Sequence, residues 1–396
     1  MESDAIIFIP GIKGTKLVET NRATHDTIWS GIQSNFESIE DLELTQQLKG
    51  QYYDEPMETI VKAGEIESLA YGEFLRDLKT NKPVYIFNYD WRLSAKQNGS
   101  RLREFIEYLV EKSKVSGIRE KNQKNIQKFD FITHSLGNAV LRSYIQQFDL
   151  NFRRIHKVVF TVPPFLGSID IAVGILVGEG FFPNVKGKIR KVIRTFPGAL
   201  ELLPEYTDAS RFGSREKHDF FKFTDWQENV ISSKNLTSEK FKKALAVARQ
   251  TVKNDLCDLA QLSEGQKDRI LVIARHGYET YQSLRVFRKL AGNPKNYFDF
   301  ENACKNDHGD GRVPHVSSCH YHDSVLTLMV DDALFFNDYS HGFVLKDERV
   351  QKLVNRFLSK AGKKLKYNIP GGSVKKVIGL IPDKENGLPF WRAQTR

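Results

Sequence analysis

The chain has 396 residues, 40% of them hydrophobic and 27% charged, with a formal net charge of +10. That length exceeds one average domain, and the composition supplies a sizeable core, which excludes a globally disordered chain. Three cysteines are too few for a disulfide framework, and their odd number suits a reducing compartment.

The acidic start, Met1-Glu2-Ser3-Asp4, passes at once into the apolar run Ala5–Ile9 and does not read as a signal peptide. Pro10-Gly11 stops that run. Further short apolar runs follow at Val84–Phe87, Phe129–Thr133, Lys157–Thr161, Arg269–Ala274 and Ser324–Val330. Runs apolar on both faces are the mark of buried parallel strands. Between them, Leu102, Phe105, Ile106, Leu109 and Val110 recur at helical spacing, as do Val140, Leu141, Tyr144 and Ile145. A last helix is expected over Val350 to Leu358, with Val350, Leu353, Val354, Phe357 and Leu358 on one face. The alternation predicts an α/β fold, a mostly parallel sheet flanked by helices.

Thr133-His134-Ser135-Leu136-Gly137 joins the third run to a helix. It follows the G-x-S-x-G nucleophile elbow of α/β-hydrolases, where a strand-to-helix turn lifts a serine hydroxyl above the sheet; Thr133 stands in place of the first glycine. A serine needs a base, and the base an orienting acid, in the chain order serine, acid, histidine. Asp307-His308-Gly309-Asp310-Gly311 lies beyond the fifth run, and its flanking glycines favour Asp310 over the rivals Asp307 and Asp323. Tyr339-Ser340-His341-Gly342 follows the sixth run and precedes the last helix, which makes His341 the expected base. His134, beside the serine, is expected to shape the elbow. His315, His320 and His322 lack the companion carboxylate or cysteine spacing of a metal site, so no metal or other cofactor is expected. The expected oxyanion donors are the backbone N–H of Leu136 and, from the loop after the first strand, that of Ile12.

Core boundaries are placed at 1–164 and 268–360, with an insertion at about 12–82, a cap or lid over 165–267, and a basic tail over 361–396. From Lys346 to Arg396 there are 13 Lys and Arg against 4 Asp and Glu. That excess is read either as a solvated surface or as attraction to anionic lipid; no nucleic-acid module is evident. In the cap, the apolar stretch Ile169–Val177 with Phe181-Phe182 adjoins Lys186, Lys188, Arg190, Lys191 and Arg194. This is either an interfacial segment that meets a membrane surface or an ordinary cap packed on its core. Phe165, Leu176, Phe181 and Phe182 are the candidate lipid contacts. No apolar run approaches the roughly 20 residues that span a bilayer, so a cytoplasmic protein with peripheral membrane contact is expected.

Taken in order, Ile9-Pro10-Gly11-Ile12 with Gly14 and Leu17, Tyr89-Asp90-Trp91-Arg92, His134-Ser135-Leu136-Gly137, Pro164–Ser168, Leu202-Leu203-Pro204, Gly309-Asp310-Gly311 with Val313-Pro314, and Ser340-His341-Gly342 resemble the lecithin:cholesterol acyltransferase family. That family includes lysosomal phospholipase A2 and phospholipid:diacylglycerol acyltransferases. The resemblance implies an α/β-hydrolase core with a cap and a small membrane-binding insertion. It also implies an acyl-enzyme on Ser135, formed from a lipid ester and released to water or an alcohol. By position, Asp310, His341, Ile12 and Leu136 match the family's triad partners and oxyanion donors, and Asp90-Trp91-Arg92 is either structural or lines the pocket. The signal peptides and disulfides of secreted members, and the transmembrane anchor of diacylglycerol-linked ones, have no counterpart here. Rival readings are a serine peptidase or amidase on the same scaffold, and a non-catalytic lipid-binding module. The acyl acceptor and the oligomeric state stay open at this level.

Overall fold

The computed structural model describes residues 3–19, 27–30, 42–44, 61–115, 125–178, 190, 192–213, 216–226, 238–288, 296–331, 340–359, 367, 369 and 373–396. The first strands are β1 (Ala5–Ile9), β2 (Thr15–Glu19), β3 (Thr27–Trp29), β4 (Val61–Ile66) and β5 (Val84–Ile86). Then come β6 (Phe129–His134), β7 (Ile155–Thr161), β8 (Ser210–Phe212), β9 (Glu216–Lys217) and β10 (Ile270–His276). The last are β11 (Thr280–Arg288), β12 (Asn296–Asn306), β13 (Leu326–Asp331), β14 (Val374–Glu385) and β15 (Leu388–Thr395). Helices α1 (Ser68–Asp77), α2 (Ala95–Lys114), α3 (Gly137–Phe148) and α4 (Ile169–Val177) lie between them.

The central sheet runs in the order β5-β1-β6-β7-β10-β13-β14-β15. Pairings from β5 through β13 are all parallel, and these six strands are the six apolar runs of the sequence. The α/β-hydrolase fold expected from the sequence is borne out. Alternate side chains of one strand enter separate cores: Ile7 and Ile9 pack on the α2–α3 side, whereas Ile6 and Phe8 pack with α1 and the helix Glu348–Ser359. Both faces are therefore covered, which is why these strands are apolar throughout. The helix Glu348–Ser359 buries Val350, Leu353, Val354 and Phe357, the stripe its spacing predicts. Helix α2 opens on a capping box between Ser94 and Gln97.

Two smaller sheets are added, β12-β11-β8-β9 and β3-β2-β4. The second lies in the segment between β1 and β5. The first draws β8 and β9 from within 165–267 but β11 and β12 from beyond it. The segment read as a basic tail carries β14 and β15, an antiparallel hairpin that extends the central sheet from β13. Val377, Leu388 and Phe390 are its buried side chains. Lys375 and Lys376 precede Val377 and Lys384 follows it, all exposed, so charge hides the strand pattern. The fully buried Asp90–Arg92 pair is structural: Arg92 donates to both carboxylate oxygens of Asp90, at 3.0 and 2.7 Å, and to the Leu42 carbonyl. Trp91 is equally buried, between Trp29 and Phe196.

Candidate active site

Ser135 sits where β6 turns into α3, beside the loop that leaves β1. The turn holds Ser135 at a φ of 50°, in the left-handed region that a serine adopts only when its surroundings compel it. Those surroundings are backbone. A Cβ at Gly137 would lie 2.5 Å from the Ile9 carbonyl oxygen, and one at Gly11 would lie 2.8 Å from the Ser135 Cβ. Only glycine at these two points lets the β1 loop close on the elbow. Thr133, in place of the usual first glycine, fits because its hydroxyl donates to Asn138 Oδ1 at 2.8 Å. Asn138 in turn donates to the Ser135 carbonyl, and the Thr161 hydroxyl to the Thr133 carbonyl.

His341 opens the short 3-10 turn His341–Lys346 that follows β13. Its Nε2 lies 2.7 Å from Ser135 Oγ, and its Nδ1 lies 2.8 Å from Asp310 Oδ2. The other Asp310 oxygen accepts the N–H groups of Arg312 and Val313, at 2.9 and 2.7 Å. Burial alone would raise the Asp310 pKa, but His341 and those two backbone donors outweigh it and hold the carboxyl below its ordinary value. The His341 N–H also donates to the Asp310 carbonyl, at 2.9 Å, so acid and base are tied by backbone as well. The structure thus brings Ser135, Asp310 and His341 into one hydrogen-bonded line. Asp307 is instead beside His308 and His276.

Ile12 and Leu136 flank the serine from the β1 loop and the elbow. Tyr89 donates to the Pro10 carbonyl at 2.8 Å and fixes the loop that carries Ile12. Lys13 follows with a φ of 63°; burial, then the neighbouring Arg312 guanidinium, push its pKa down to about 7. Arg312 itself pairs with Asp170 at 2.6 Å, joining the acid loop to the start of α4.

The candidate lipid contacts fall differently. Phe165 and Leu176 are 5% and 2% exposed, packed into the main core, with Phe165 edge-on to Phe160 and Tyr321. Six of the nine α4 residues are buried apolar side chains, so this helix lies inside the protein and does not present a membrane face. A helix apolar on nearly every side is buried either in a protein core or in a membrane, and the packing of α4 puts it in the core. Phe181, Phe182, Lys186, Lys188 and Lys191 lie outside the described residues.

Of the three histidines weighed as a metal group, only His315 joins the cluster that forms. His320 packs on Tyr321, and His322 lies against the Cys319 carbonyl. Among the described residues, the cluster that does form is His276, His308 and His315, with ring nitrogens within 4.8 Å of one another. His315 Nδ1 accepts the Ala393 N–H at 3.0 Å, which leaves the proton on Nε2 and takes away the lone pair a metal would need. The set fits packed imidazoles better than a metal centre. Sequence reasoning missed Tyr71, Asn138 and Thr161 around the elbow, and Tyr89 was quoted without a role. Asn138 had a local signal, three residues after the serine; Tyr71, on α1, had none.

A family model for lecithin:cholesterol acyltransferase matches residues 18–296. The chain belongs to that family. Membership supports, in general terms, an enzyme that hydrolyses or transfers lipid esters. No curated protein sequence matches the chain. Among solved structures, the crystal structure of the Tle4–Tli4 complex is similar at 16% identity and a TM-score of 0.63, covering 91% of this chain and 99% of that one. The lin2722 product from Listeria innocua aligns at 14% identity and a TM-score of 0.35, over 93% of this chain and 100% of that one. Phospholipase PlaB from Legionella pneumophila aligns at 12% identity and a TM-score of 0.29, over 91% of this chain and 60% of that one. The first of these likenesses bears on the fold alone, and the other two are too distant to bear on it. No described helix is long and apolar enough to cross a membrane.

Proposed function

We propose that the chain is a serine acyl-ester hydrolase or O-acyltransferase of lipid esters, working through an acyl-enzyme on Ser135. The observation that carries this reading is the line Ser135 Oγ, His341 Nε2, His341 Nδ1, Asp310 Oδ2, with steps of 2.7 and 2.8 Å, placed at a strained elbow. As Oγ attacks the ester carbonyl carbon, its proton passes to His341 Nε2. Asp310, held ionised, stabilises the imidazolium and keeps the Nδ1 proton where it is. The carbonyl oxygen becomes an oxyanion, and the N–H groups of Ile12 and Leu136 are its donors. Collapse breaks the ester C–O bond; His341 returns the proton to the departing alcohol, leaving an acyl ester on Ser135. Water or a second alcohol, deprotonated by His341, then attacks that ester, and Ser135 recovers its proton.

Residues 1–164 and 268–396, the latter including the hairpin β14–β15, are assigned to the core, with 165–267 as cap over the acyl-chain path. The basic C-terminal residues, and the cap outside α4, are the proposed contacts with a membrane surface. Incubation with mixed phospholipids and a long-chain alcohol, with products resolved by mass spectrometry, tests the reading. Free fatty acid marks hydrolysis and a new ester marks transfer. Cleavage of amide but not ester substrates would move the assignment to a peptidase or amidase.

A further inference from the structure

Tyr71 and His134 are buried, lie 63 residues apart in the chain, and belong to none of the three groups that carry out the transfer. Yet together they reach the elbow that carries Ser135, the base His341 and the loop of the oxyanion donor. The Gly11 N–H, one residue before the Ile12 donor, gives a hydrogen bond to Tyr71 Oη at 3.1 Å. A phenol has one proton, and the Tyr71 hydroxyl lies 2.8 Å from His134 Nδ1. At 2.8 Å from His134 Nε2 lies the backbone carbonyl of His341. A carbonyl only accepts, so Nε2 must carry the imidazole proton and Nδ1 must accept from Tyr71. The hydrogens then run in one direction: Gly11 N–H to Tyr71, Tyr71 O–H to His134, His134 Nε2–H to the His341 carbonyl.

We propose that His134, oriented by Tyr71, is a positioning residue that fixes the catalytic base relative to the nucleophile and the oxyanion loop. His134 adjoins Ser135 in the chain, so its bond to the His341 backbone sets the distance between nucleophile and base. Its ring also stands against the His341 ring, with centroids 5.2 Å apart. Tyr71 extends the same constraint to Gly11. One chain of hydrogen bonds therefore holds the elbow, the base and the loop of Ile12 in register. Burial supports the assigned protonation: it keeps the Tyr71 phenol protonated, and, with His341 nearby, it pushes the His134 pKa down to about 3, so the ring stays neutral at working pH.

This inference rests on Ser135 as nucleophile. The test uses the full chain and a fluorophosphonate probe, with the labelled serine located by peptide mapping. Labelling of Ser135 in the parent protein comes first, since its failure would remove the nucleophile and this inference with it. Given labelling, His134→Leu keeps bulk but removes the Nε2 donor, while His134→Gln keeps an amide donor facing the His341 carbonyl. The expected result is a loss of at least tenfold in kcat and in labelling rate for His134→Leu, with KM within about twofold. His134→Gln should recover most of that loss. Tyr71→Phe, which removes only one hydroxyl, should fall in the same direction, and it carries the test alone if His134→Leu does not fold. A purely structural histidine would give equal losses for Leu and Gln. That outcome, or Tyr71→Phe labelling Ser135 at the parental rate, overturns the proposal.

Discussion

Replacing Asp310 with Asn separates the charge of the acid from its shape. In the parent, one Asp310 oxygen accepts the Arg312 and Val313 N–H groups and the other faces His341 Nδ1. An asparagine can satisfy the two backbone donors only with its carbonyl oxygen, which turns its NH2 toward His341. The imidazole must then accept at Nδ1 and carry its proton on Nε2, where it cannot take the proton of Ser135. Loss of the right tautomer, with the geometry intact, costs on the order of 10⁴ in kcat in a serine–histidine–aspartate triad. Asp310→Asn should therefore lose about 10³–10⁴ in kcat on a soluble short-chain ester. KM should change little, and the thermal midpoint should stay near that of the parent because the backbone hydrogen bonds persist. A kcat within tenfold of the parent would refute the placement of Asp310 behind the base.

Other perturbations test the frame around the site. Gly137→Ala puts a Cβ 2.5 Å from the Ile9 carbonyl oxygen and 2.6 Å from that of Pro10, both backbone atoms; a loss of about 1–3 kcal/mol is expected in urea unfolding. Arg92→Ala leaves the carboxylate of Asp90 buried without its partner and should cost about 3–5 kcal/mol, measured the same way, whereas Asp90→Asn with Arg92→Met should cost less. Glu201 is buried, with one oxygen accepting the Ala95 N–H, and burial raises its pKa to about 8. A carboxyl raised on folding favours the folded state at low pH and weakens it as pH climbs from about 4.3, its unfolded value, to that raised value. Glu201→Gln should therefore gain stability relative to the parent between about pH 5 and pH 8, and pH-dependent chemical denaturation reads the gap.

The parallel strands were legible because burial on both faces leaves few polar residues to obscure them, and the hairpin β14–β15 was not because it is buried on one side. Lys375 and Lys376 stand immediately before the buried Val377, so local charge outweighed a two-residue alternation. Ile169–Val177 was legible as apolar, but composition does not say whether an apolar helix meets lipid or protein; the tertiary packing of α4 decides it. The order of Ser135, Asp310 and His341 along the chain could be read because each follows a strand end in a loop with glycine. The Tyr71–His134 contact could not, since α1 reaches the elbow only after the segment between β1 and β5 has folded back over the sheet. Thr133 was the one departure within the motif, and its hydroxyl finds Asn138 five residues on, a pairing that becomes meaningful only when the turn is closed.

The central claim is that the acyl group passes through Ser135. Rapid acid quenching during turnover of a long-chain nitrophenyl ester, followed by intact-mass measurement and peptide mapping, tests it most directly. The expected result is a mass increase of one acyl group on the peptide containing Ser135, absent in Ser135→Ala. Turnover that persists in Ser135→Ala, or an acyl adduct on another residue, would contradict it.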